Sequence, residues 1–379
     1  MCSDRFRAAR YREEAPFKIH GGCGLVGICN EDGARVSGEL AMRAVAVLHD
    51  RGNGLGGGFA GYGIYPAFPD HIAFHLMYSG RAARDAAEEV LRRRFSIDQQ
   101  ETVPTRRMDA FRDAPEFVRY FARVSPAMLE EERCSEDDYV VRTVMFLNSK
   151  VDGAYVASSG HNMGTFKGVG YPEDIARFFR LEEYEGWTWT AHNRFPTNTP
   201  GWWGGAHPFA LLDWSIVHNG ELSSYGTNRR YLEQFGYDSV LGTDTEVVTY
   251  LFDLLSRRHG LPVELAARVL AAPRWTEIER LRATDPELAQ VLERLRLAYA
   301  PAELAGPFAL VLGFKGGMLA VNDRLKLRPL VVARKGARCM AASEEAAILA
   351  VMPDPDEVMT PRAGEPFVAH VAGCGEEER

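Results

Sequence analysis

Apolar and polar positions form three distinct patterns in the first part of the chain. Residues 1–21 are polar and irregular, and the short apolar run over 23–28 predicts a buried strand. From Ser37 an apolar stripe recurs at helical spacing and predicts an amphipathic helix. Its members are Leu40, Ala44, Val47 and Leu48. A glycine cluster then leads into a second predicted strand over 59–65.

The next stretch, residues 80–150, is more charged and less regular, and it predicts a small inserted α+β subdomain. The patterns over 82–94 and 115–122 predict helices, whereas the pattern over 139–146 predicts a strand. In this prediction the insert contributes two helices and one strand.

Two later strands are predicted to end in polar residues. Period-two alternation over 187–192 predicts a strand with one buried face, which leads to Arg194. A second strand over 214–218 leads to Asn219 and Gly220, and the glycine permits a tight backbone there. Side chains that could carry chemistry therefore follow strand ends.

The C-terminal half predicts helices and strands in blocks. Thr243 and Glu246 fit a capping box, which puts Asp244 in the first turn of a helix. A helical stretch over 273–299 precedes four predicted strands. They cover 308–314, 318–322, 329–333 and 339–342. Two packed antiparallel sheets with outer helices fit this order better than alternating βαβ units.

Composition excludes several classes of protein. The 379 residues include 44 Lys and Arg against 52 Asp and Glu, and the net charge of −8 disfavours nucleic acid as a partner. No apolar run approaches 18 residues, and the first twenty residues lack an apolar signal core, so a membrane span and a secretory signal are disfavoured. The six cysteines form no CxxC pair. We expect a cytoplasmic protein with free thiols.

Four segments occur in one order: GCGLVGI from Gly22, HNRFPTNT from His192, HNGEL from His218 and TDTEV from Thr243. Together they resemble class II glutamine amidotransferases, the N-terminal-nucleophile hydrolases that release ammonia from glutamine. The closest resemblance is to the glutaminase domain of glutamate synthase, and it covers nearly all of residues 22–350. It implies an α+β fold, a four-layer αββα sandwich with a small inserted subdomain.

The resemblance also implies a division of the chain, because the family's nucleophile begins the mature polypeptide. The expected parts are a leader over 1–22, a domain over 23–365 with an insert at about 80–150, and a polar tail over 366–379. Cys2 is a rival nucleophile once Met1 is lost, but it lacks the glycine and apolar strand that follow Cys23. We expect cleavage between Gly22 and Cys23.

Hydrolysis of a side-chain amide needs a nucleophile, a base, an oxyanion hole and groups that recognise the amino-acid end of the substrate. As a first residue, Cys23 would hold a thiol nucleophile and an α-amino base together. Asn219 offers a side-chain amide donor and Gly220 an unobstructed backbone N–H. The resemblance assigns this pair to the oxyanion hole.

The resemblance assigns the substrate's α-carboxylate to Arg194 and Thr197, and its α-ammonium to Asp244. Arg51 matches the family's arginine after the first helix, where it orders the nucleophile's surroundings, although Asp50 stands where the family usually has histidine. No cofactor is expected in this chain. Flavin mononucleotide and iron–sulfur groups are expected only on a separate synthase subunit that accepts the ammonia.

Other interpretations remain open. An N-terminal-nucleophile acylase acting on another amide would share the fold without needing Arg194 and Asp244. A regulatory or structural subunit would keep the fold and leave Cys23 unprocessed. Single residues also have purely structural interpretations: a buried strand thiol for Cys23, a turn for Asn219–Gly220, a helix-dipole partner for Asp244 and an ion pair for Arg194. A metal site formed by His192, His207 and His218 is disfavoured.

Overall fold

The structure, a computed structural model, describes residues 22–196 and 201–374. Its strands are β1 (Gly24–Asn30), β2 (Val36–Ser37), β3 (Gly57–Tyr62), β4 (Ile72–Tyr78), β5 (Ser96–Thr102), β6 (Glu116–Arg123), β7 (Ala154–His161), β8 (Met163–Gly168), β9 (Glu185–Gly186), β10 (Thr188–Asn193), β11 (Phe209–Leu211), β12 (Trp214–Gly220), β13 (Phe308–Phe314), β14 (Gly317–Asn322), β15 (Val331–Lys335), β16 (Arg338–Ala342), β17 (Glu357–Met359) and β18 (Phe367–His370).

The α-helices are α1 (Gly38–Ala46), α2 (Arg81–Arg94), α3 (Pro126–Glu132), α4 (Glu136–Lys150), α5 (Pro172–Phe178), α6 (Tyr225–Glu233), α7 (Asp244–Phe252), α8 (Val263–Ala271), α9 (Trp275–Thr284), α10 (Pro286–Ala298) and α11 (Glu345–Leu349). A π-helical segment, Asp253–Arg258, continues α7. Asp285 and Pro286 divide the helical stretch predicted over 273–299 into two helices, because Pro286 cannot continue the preceding one. None of the described helices is long and apolar enough to cross a membrane.

Two antiparallel sheets pack face to face at the centre. The first has seven strands in the order β17-β15-β16-β1-β10-β3-β8, and the second has five in the order β11-β12-β13-β14-β18. Side chains from both inner faces form one buried cluster, which includes Leu25, Val217 and Val311. At Gly27 the sheets approach so closely that an added Cβ would lie 2.4 Å from the sulfur of Met318.

Helices cover the outer face of each sheet. α1, α5 and α11 pack on the seven-stranded sheet, and α7 and α8 pack on the five-stranded one. α1 begins where it is predicted, since the Ser37 hydroxyl accepts a hydrogen bond from the Glu39 amide. Its buried stripe is Ala41, Ala44, Val45 and Leu48, whereas Val47 faces solvent. The expected four-layer αββα sandwich is confirmed.

The inserted subdomain is larger than predicted and has its own sheet. Its strands β4 to β7 span residues 72–161 and pair antiparallel in the order β5-β6-β4-β7. With α2 between β4 and β5, and α3 and α4 between β6 and β7, the chain follows a βαββαβ course, as in ferredoxin-like folds.

Two element predictions within the insert are wrong. Residues 115–122 fall largely in strand β6, which buries side chains on both faces and so lacks a clean alternation. Residues 139–146 lie within helix α4, which begins after the N-cap Ser135. Its β-branched residues suggested a strand, but burial of seven of its side chains overrides that local preference.

The second sheet also reaches beyond the predicted end of the domain. β18 pairs with β14, and Ala369 within it is fully buried. The boundary at residue 365 is therefore too early, and residues 367–370 belong to the core rather than to a polar tail. Residues 1–21 and 375–379, which include Cys2, lie outside the described residues.

A buried histidine in the insert leads us to predict a pH dependence of the folding stability. The ring of His75 on β4 contacts the Tyr65 hydroxyl at 2.7 Å and the Thr165 carbonyl at 3.2 Å. Burial, reinforced by the charge of Arg119, lowers the pKa of His75 to about 3. The unfolded chain binds this proton below about pH 6.5, while the folded chain does not.

We therefore expect His75 to cost the wild type up to about 1.4 kcal/mol of unfolding free energy per pH unit as the pH falls below 6.5. No such cost arises above that pH. Urea unfolding of the wild type and of His75→Gln between pH 7.5 and 5 checks this. The stability advantage of the wild type should shrink as the pH falls, whereas a difference independent of pH would contradict the assignment.

Candidate active site

One end of the two packed sheets opens into a cavity of about 410 Å³. Its lining includes Cys23, Arg194, Gly220 and Asp244, four of the residues predicted for the site. Pairing of β1 with β10 places Gly24 opposite Asn193, so Cys23 and Arg194 flank one paired position. Gly220 lies at the end of β12 in the facing sheet, and Asp244 lies in the first turn of α7.

The Cys23 thiol lies against the start of the segment that follows β10. Its sulfur accepts a hydrogen bond from the Phe195 amide at 3.3 Å. Burial raises the pKa of the Cys23 thiol, and the Phe195 amide and the positive charges of Arg194, Arg328 and Arg51 offset only part of that effect. The thiol is therefore protonated at neutral pH, and attack on a carbonyl requires a base at the sulfur.

Arg51 contacts the nucleophile's backbone rather than its sulfur. Its Nε donates to the Cys23 carbonyl at 2.9 Å, and its guanidinium pairs with Glu344 at 2.7 Å. Glu344 follows β16, whose pairing with β1 brings it to this end of the sheet. The arrangement fixes the backbone at Cys23.

Asn219 and Gly220 are the last residues of β12 and pair with Ala309 and Phe308 of β13, so their interpretation as a simple turn is wrong. Asn219 is buried, and its side-chain Nδ2 finds no hydrogen-bond partner among the described residues. At Gly220 an added Cβ would lie 2.3 Å from the Pro307 carbonyl. The strand end therefore holds a buried amide donor without a partner among the described residues; Asn219 does not itself line the cavity, whereas the neighbouring Gly220, where only glycine fits, does.

Arg194 is held by the glycine-rich segment before β3. Its amide donates to the Gly56 carbonyl at 2.9 Å, and its guanidinium contacts the Leu55 carbonyl at 3.5 Å. A Cβ on Gly56 would lie 2.8 Å from the Arg194 side chain, so glycine makes room for it. Thr197, the other residue expected at the substrate carboxylate, lies outside the described residues.

Asp244 faces the cavity from the N-terminus of α7. One carboxylate oxygen accepts from the Leu222 amide at 3.1 Å, and the other lies 3.6 Å from His218 Nδ1. Burial alone would raise the pKa of Asp244, but His218 and the amides of Leu222 and Thr245 outweigh it and hold the pKa below its usual value. Asp244 is thus a carboxylate at neutral pH and attracts a cation.

The helix is capped differently from the predicted box. The Thr243 hydroxyl accepts from the Thr245 amide at 3.4 Å rather than from the Glu246 amide. The Glu246 carboxylate turns away from Thr243 and accepts from the amides of Val240 and Leu241. Its partners belong to the loop before α7, which the sequence pattern did not indicate.

Two histidines contact Thr245 and a third packs beside them; from the sequence, all three were considered only as a disfavoured metal site. His207 Nε2 and His218 Nδ1 lie 2.9 and 3.1 Å from the Thr245 hydroxyl, and the rings of His192 and His207 stack at 3.9 Å. Burial lowers the pKa of His192 to about 3 and that of His207 well below its ordinary value. Within the described part of the chain, His, Cys, Asp and Glu side chains form no group of three suited to a metal ion.

Known proteins resemble this chain over most of its length. The model of the family described as class-II glutamine amidotransferases matches residues 80–362. An uncharacterized protein of Archaeoglobus fulgidus is 49% identical over 360 residues, which are 94% of this chain and 94% of that protein. The glutamine amidotransferase-like protein GlxB of Rhizobium meliloti is 29% identical over 217 residues, or 57% of this chain and 60% of that protein.

Among solved structures, the glutamine phosphoribosylpyrophosphate amidotransferase of B. subtilis aligns with 92% of this chain at 15% identity and a TM-score of 0.48. The aligned part is 47% of that longer chain.

Proposed function

Since the chain belongs to the class II glutamine amidotransferases, we propose that it hydrolyses L-glutamine to glutamate and ammonia through a thioester on Cys23. The observation that carries this proposal is the cavity itself. Its lining brings together the half-buried Cys23, the guanidinium of Arg194 and the carboxylate of Asp244. A free amino acid carries the complementary pair of charges, whereas a simple amide carries neither.

The chemistry requires a base that the uncleaved chain does not place on Cys23. We propose that removal of residues 1–22 frees the Cys23 α-amino group, whose neutral form takes the thiol proton. The sulfur then attacks the side-chain amide carbon of glutamine, and the carbonyl oxygen becomes an oxyanion. The Asn219 side chain and the Gly220 amide donate hydrogen bonds to it.

Collapse of this intermediate breaks the carbon–nitrogen bond, and the Cys23 ammonium returns its proton to the leaving nitrogen. Ammonia departs and a thioester remains on Cys23. Water, deprotonated by the same amine, attacks the thioester and releases glutamate with the thiol restored. Arg194, with Thr197, holds the substrate's α-carboxylate, and Asp244 holds its α-ammonium through both steps.

The ammonia is proposed to pass to a separate synthase subunit resembling the rest of a glutamate synthase. Flavin mononucleotide and iron–sulfur groups would belong to that subunit, and none is needed for hydrolysis here. The proposed location of both proteins is the cytoplasm. Copurification of the chain from its own host, followed by identification of the bound protein and its cofactors, tests the proposed partner.

Recognition of the α-ammonium gives a direct test of the substrate. Asp244→Asn should raise the KM for L-glutamine about 10- to 100-fold, because a hydrogen bond to a charged group contributes about 1.5–3 kcal/mol. Glutaramic acid, which lacks the α-ammonium, should be a poor substrate for both the wild type and the variant. The substitution should therefore change the KM for glutaramic acid only slightly. Steady-state glutamate and ammonia release measures both.

Asp238→Asn is the matched control, because Asp238 is exposed in the loop before the same helix. Its kinetics should equal those of the wild type. Equal loss with glutamine and glutaramic acid in Asp244→Asn would show that Asp244 acts on structure rather than on the ammonium. Hydrolysis of acylated amines but not of glutamine by the wild type would support an acylase instead.

A further inference from the structure

A lysine that the hydrolytic steps do not use is buried behind the cavity. Lys167 lies on β8 and is fully buried. Its Nζ is 2.9 Å from the Gly204 carbonyl, 3.0 Å from the Pro208 carbonyl and 3.0 Å from the Tyr155 hydroxyl. An ammonium has three donors, so these three oxygens match its full capacity. Two of them belong to the segment that returns from Arg194 to β11.

Glu246 is the corresponding buried carboxyl group on the other side. It is almost completely buried in the first turn of α7, two residues after Asp244. Its carboxylate accepts from the Leu241 amide at 2.9 Å, the Val240 amide at 3.3 Å and the Tyr250 hydroxyl at 3.0 Å. Two of these donors are backbone groups of the loop that leads to Asp244.

Each group therefore holds backbone next to cavity-lining residues, and these two stretches are called the walls here: Gly204 and Pro208 flank His207, and Val240 and Leu241 precede Gly242. The wall tied to Lys167 follows Arg194 along the chain, and the wall tied to Glu246 precedes Asp244. The two walls meet where His207, between Gly204 and Pro208, bonds to Thr245, the neighbour of both Asp244 and Glu246. Displacing either wall would move this His207–Thr245 contact, and with it Asp244 relative to Arg194.

The two buried groups also attract one another. Burial lowers the pKa of Lys167 well below its ordinary value, and the carboxylate of Glu246 opposes that change. Burial likewise raises the pKa of Glu246 to about 7, and its hydrogen-bond donors and Lys167 oppose that change. Buried opposite charges support one another's ionised forms, so loss of one weakens the hold of the other.

We propose that Lys167 and Glu246 are positioning residues that fix the two cavity walls at the spacing needed to bind the amino-acid end of glutamine. This inference rests on the proposed function and deepens it. The pair would set affinity for a substrate with both α-charges and leave the reactivity of Cys23 itself unchanged.

Two labelling reagents separate these properties. The glutamine analogue 6-diazo-5-oxo-norleucine carries both α-charges and needs Arg194 and Asp244, whereas iodoacetamide needs only the Cys23 thiol. In Lys167→Met, labelling of Cys23 by the analogue should slow about 10- to 100-fold, since a wall displaced by about 1 Å costs that much in reactive geometry. Labelling by iodoacetamide should stay within about twofold of the wild type.

Lys150→Met is the matched control, because Lys150 is exposed at the end of α4 and does not line the cavity. Glu246→Gln, which is nearly isosteric, provides the second test if Lys167→Met does not fold. It should slow the labelling of Cys23 by the analogue about fivefold or more and leave the rate of labelling by iodoacetamide unchanged. Mass spectrometry of the Cys23 peptide measures each rate on protein purified from its own host.

Slower labelling by the analogue alone, in either folded variant, supports the proposal. Wild-type labelling by the analogue in both variants would overturn it, and so would an equal loss with both reagents, which indicates general disruption. A wild-type protein whose Cys23 resists the analogue would instead mean that the proposed glutaminase function has failed. The two failures are thus distinguishable.

Discussion

Replacing Cys23 with alanine is expected to abolish the release of glutamate and ammonia from L-glutamine, with a loss of at least about 10⁴-fold in kcat. The sulfur forms the thioester, and an alanine methyl group cannot carry out this covalent step. Because the Cys23 side chain makes its hydrogen bonds within the described residues only to the backbone of Phe195, the variant should still fold and bind glutamine. A coupled glutamate assay measures turnover, and calorimetry measures binding.

Cys134→Ala is the control for this prediction, because Cys134 is a free thiol of similar exposure in the inserted subdomain. Its turnover should match that of the wild type. Residual activity of Cys23→Ala above about one part in a hundred, after the preparation is shown free of other glutaminases, would contradict the role of Cys23 as the nucleophile.

The second large effect concerns the oxyanion. Asn219→Ala should lower kcat about 10²- to 10³-fold, equivalent to roughly 2.7–4 kcal/mol of barrier, with little change in KM. The Nδ2 donor is buried and has no partner in the part of the chain that the structure describes, so its hydrogen bond can be made to a charge that develops during the reaction. Steady-state kinetics with L-glutamine checks the split between kcat and KM.

Asn219→Asp keeps the shape of the side chain but removes the donor, and it should lose at least as much activity as the alanine variant. Gln99→Ala is the matched control, because Gln99 carries an exposed side-chain amide on β5 of the inserted subdomain. A rise in KM with kcat unchanged would assign Asn219 to ground-state binding and contradict the oxyanion role.

Local patterns predicted the strands that build the site. The apolar run after Cys23 became β1, and the alternation over 187–192 became β10. The pairing of these two strands sets Cys23 beside Arg194. Because it joins residues far apart in the sequence, no local sequence pattern predicts it. The cavity could therefore be expected only from the resemblance of the four segments.

Elements stabilised by distant contacts were the ones that sequence patterns missed. α4 resembled a strand because valine and threonine favour strands locally, although burial decides its conformation. β18 is four residues long, too short for a periodic signal, and pairing with β14 defines it.

The contacts of the two buried polar side chains, Lys167 and Glu246, were even harder to predict from the sequence. Lys167 stands in a six-residue strand, and nothing adjacent in the chain indicates that Gly204 and Pro208 will surround its ammonium. Glu246 was expected to bond within its own helix start, but its actual partners lie in the preceding loop. Tertiary burial, which the sequence does not display, decides both contacts.

Intact-mass measurement and N-terminal sequencing of the protein purified from its own host, before and after treatment with 6-diazo-5-oxo-norleucine, test the central claim most directly. We expect a mature chain that begins at Cys23 and gains one covalent adduct on that residue. A chain that still begins at Met1 or Cys2, with Cys23 unlabelled, would contradict the claim that Cys23 is a processed glutaminase nucleophile.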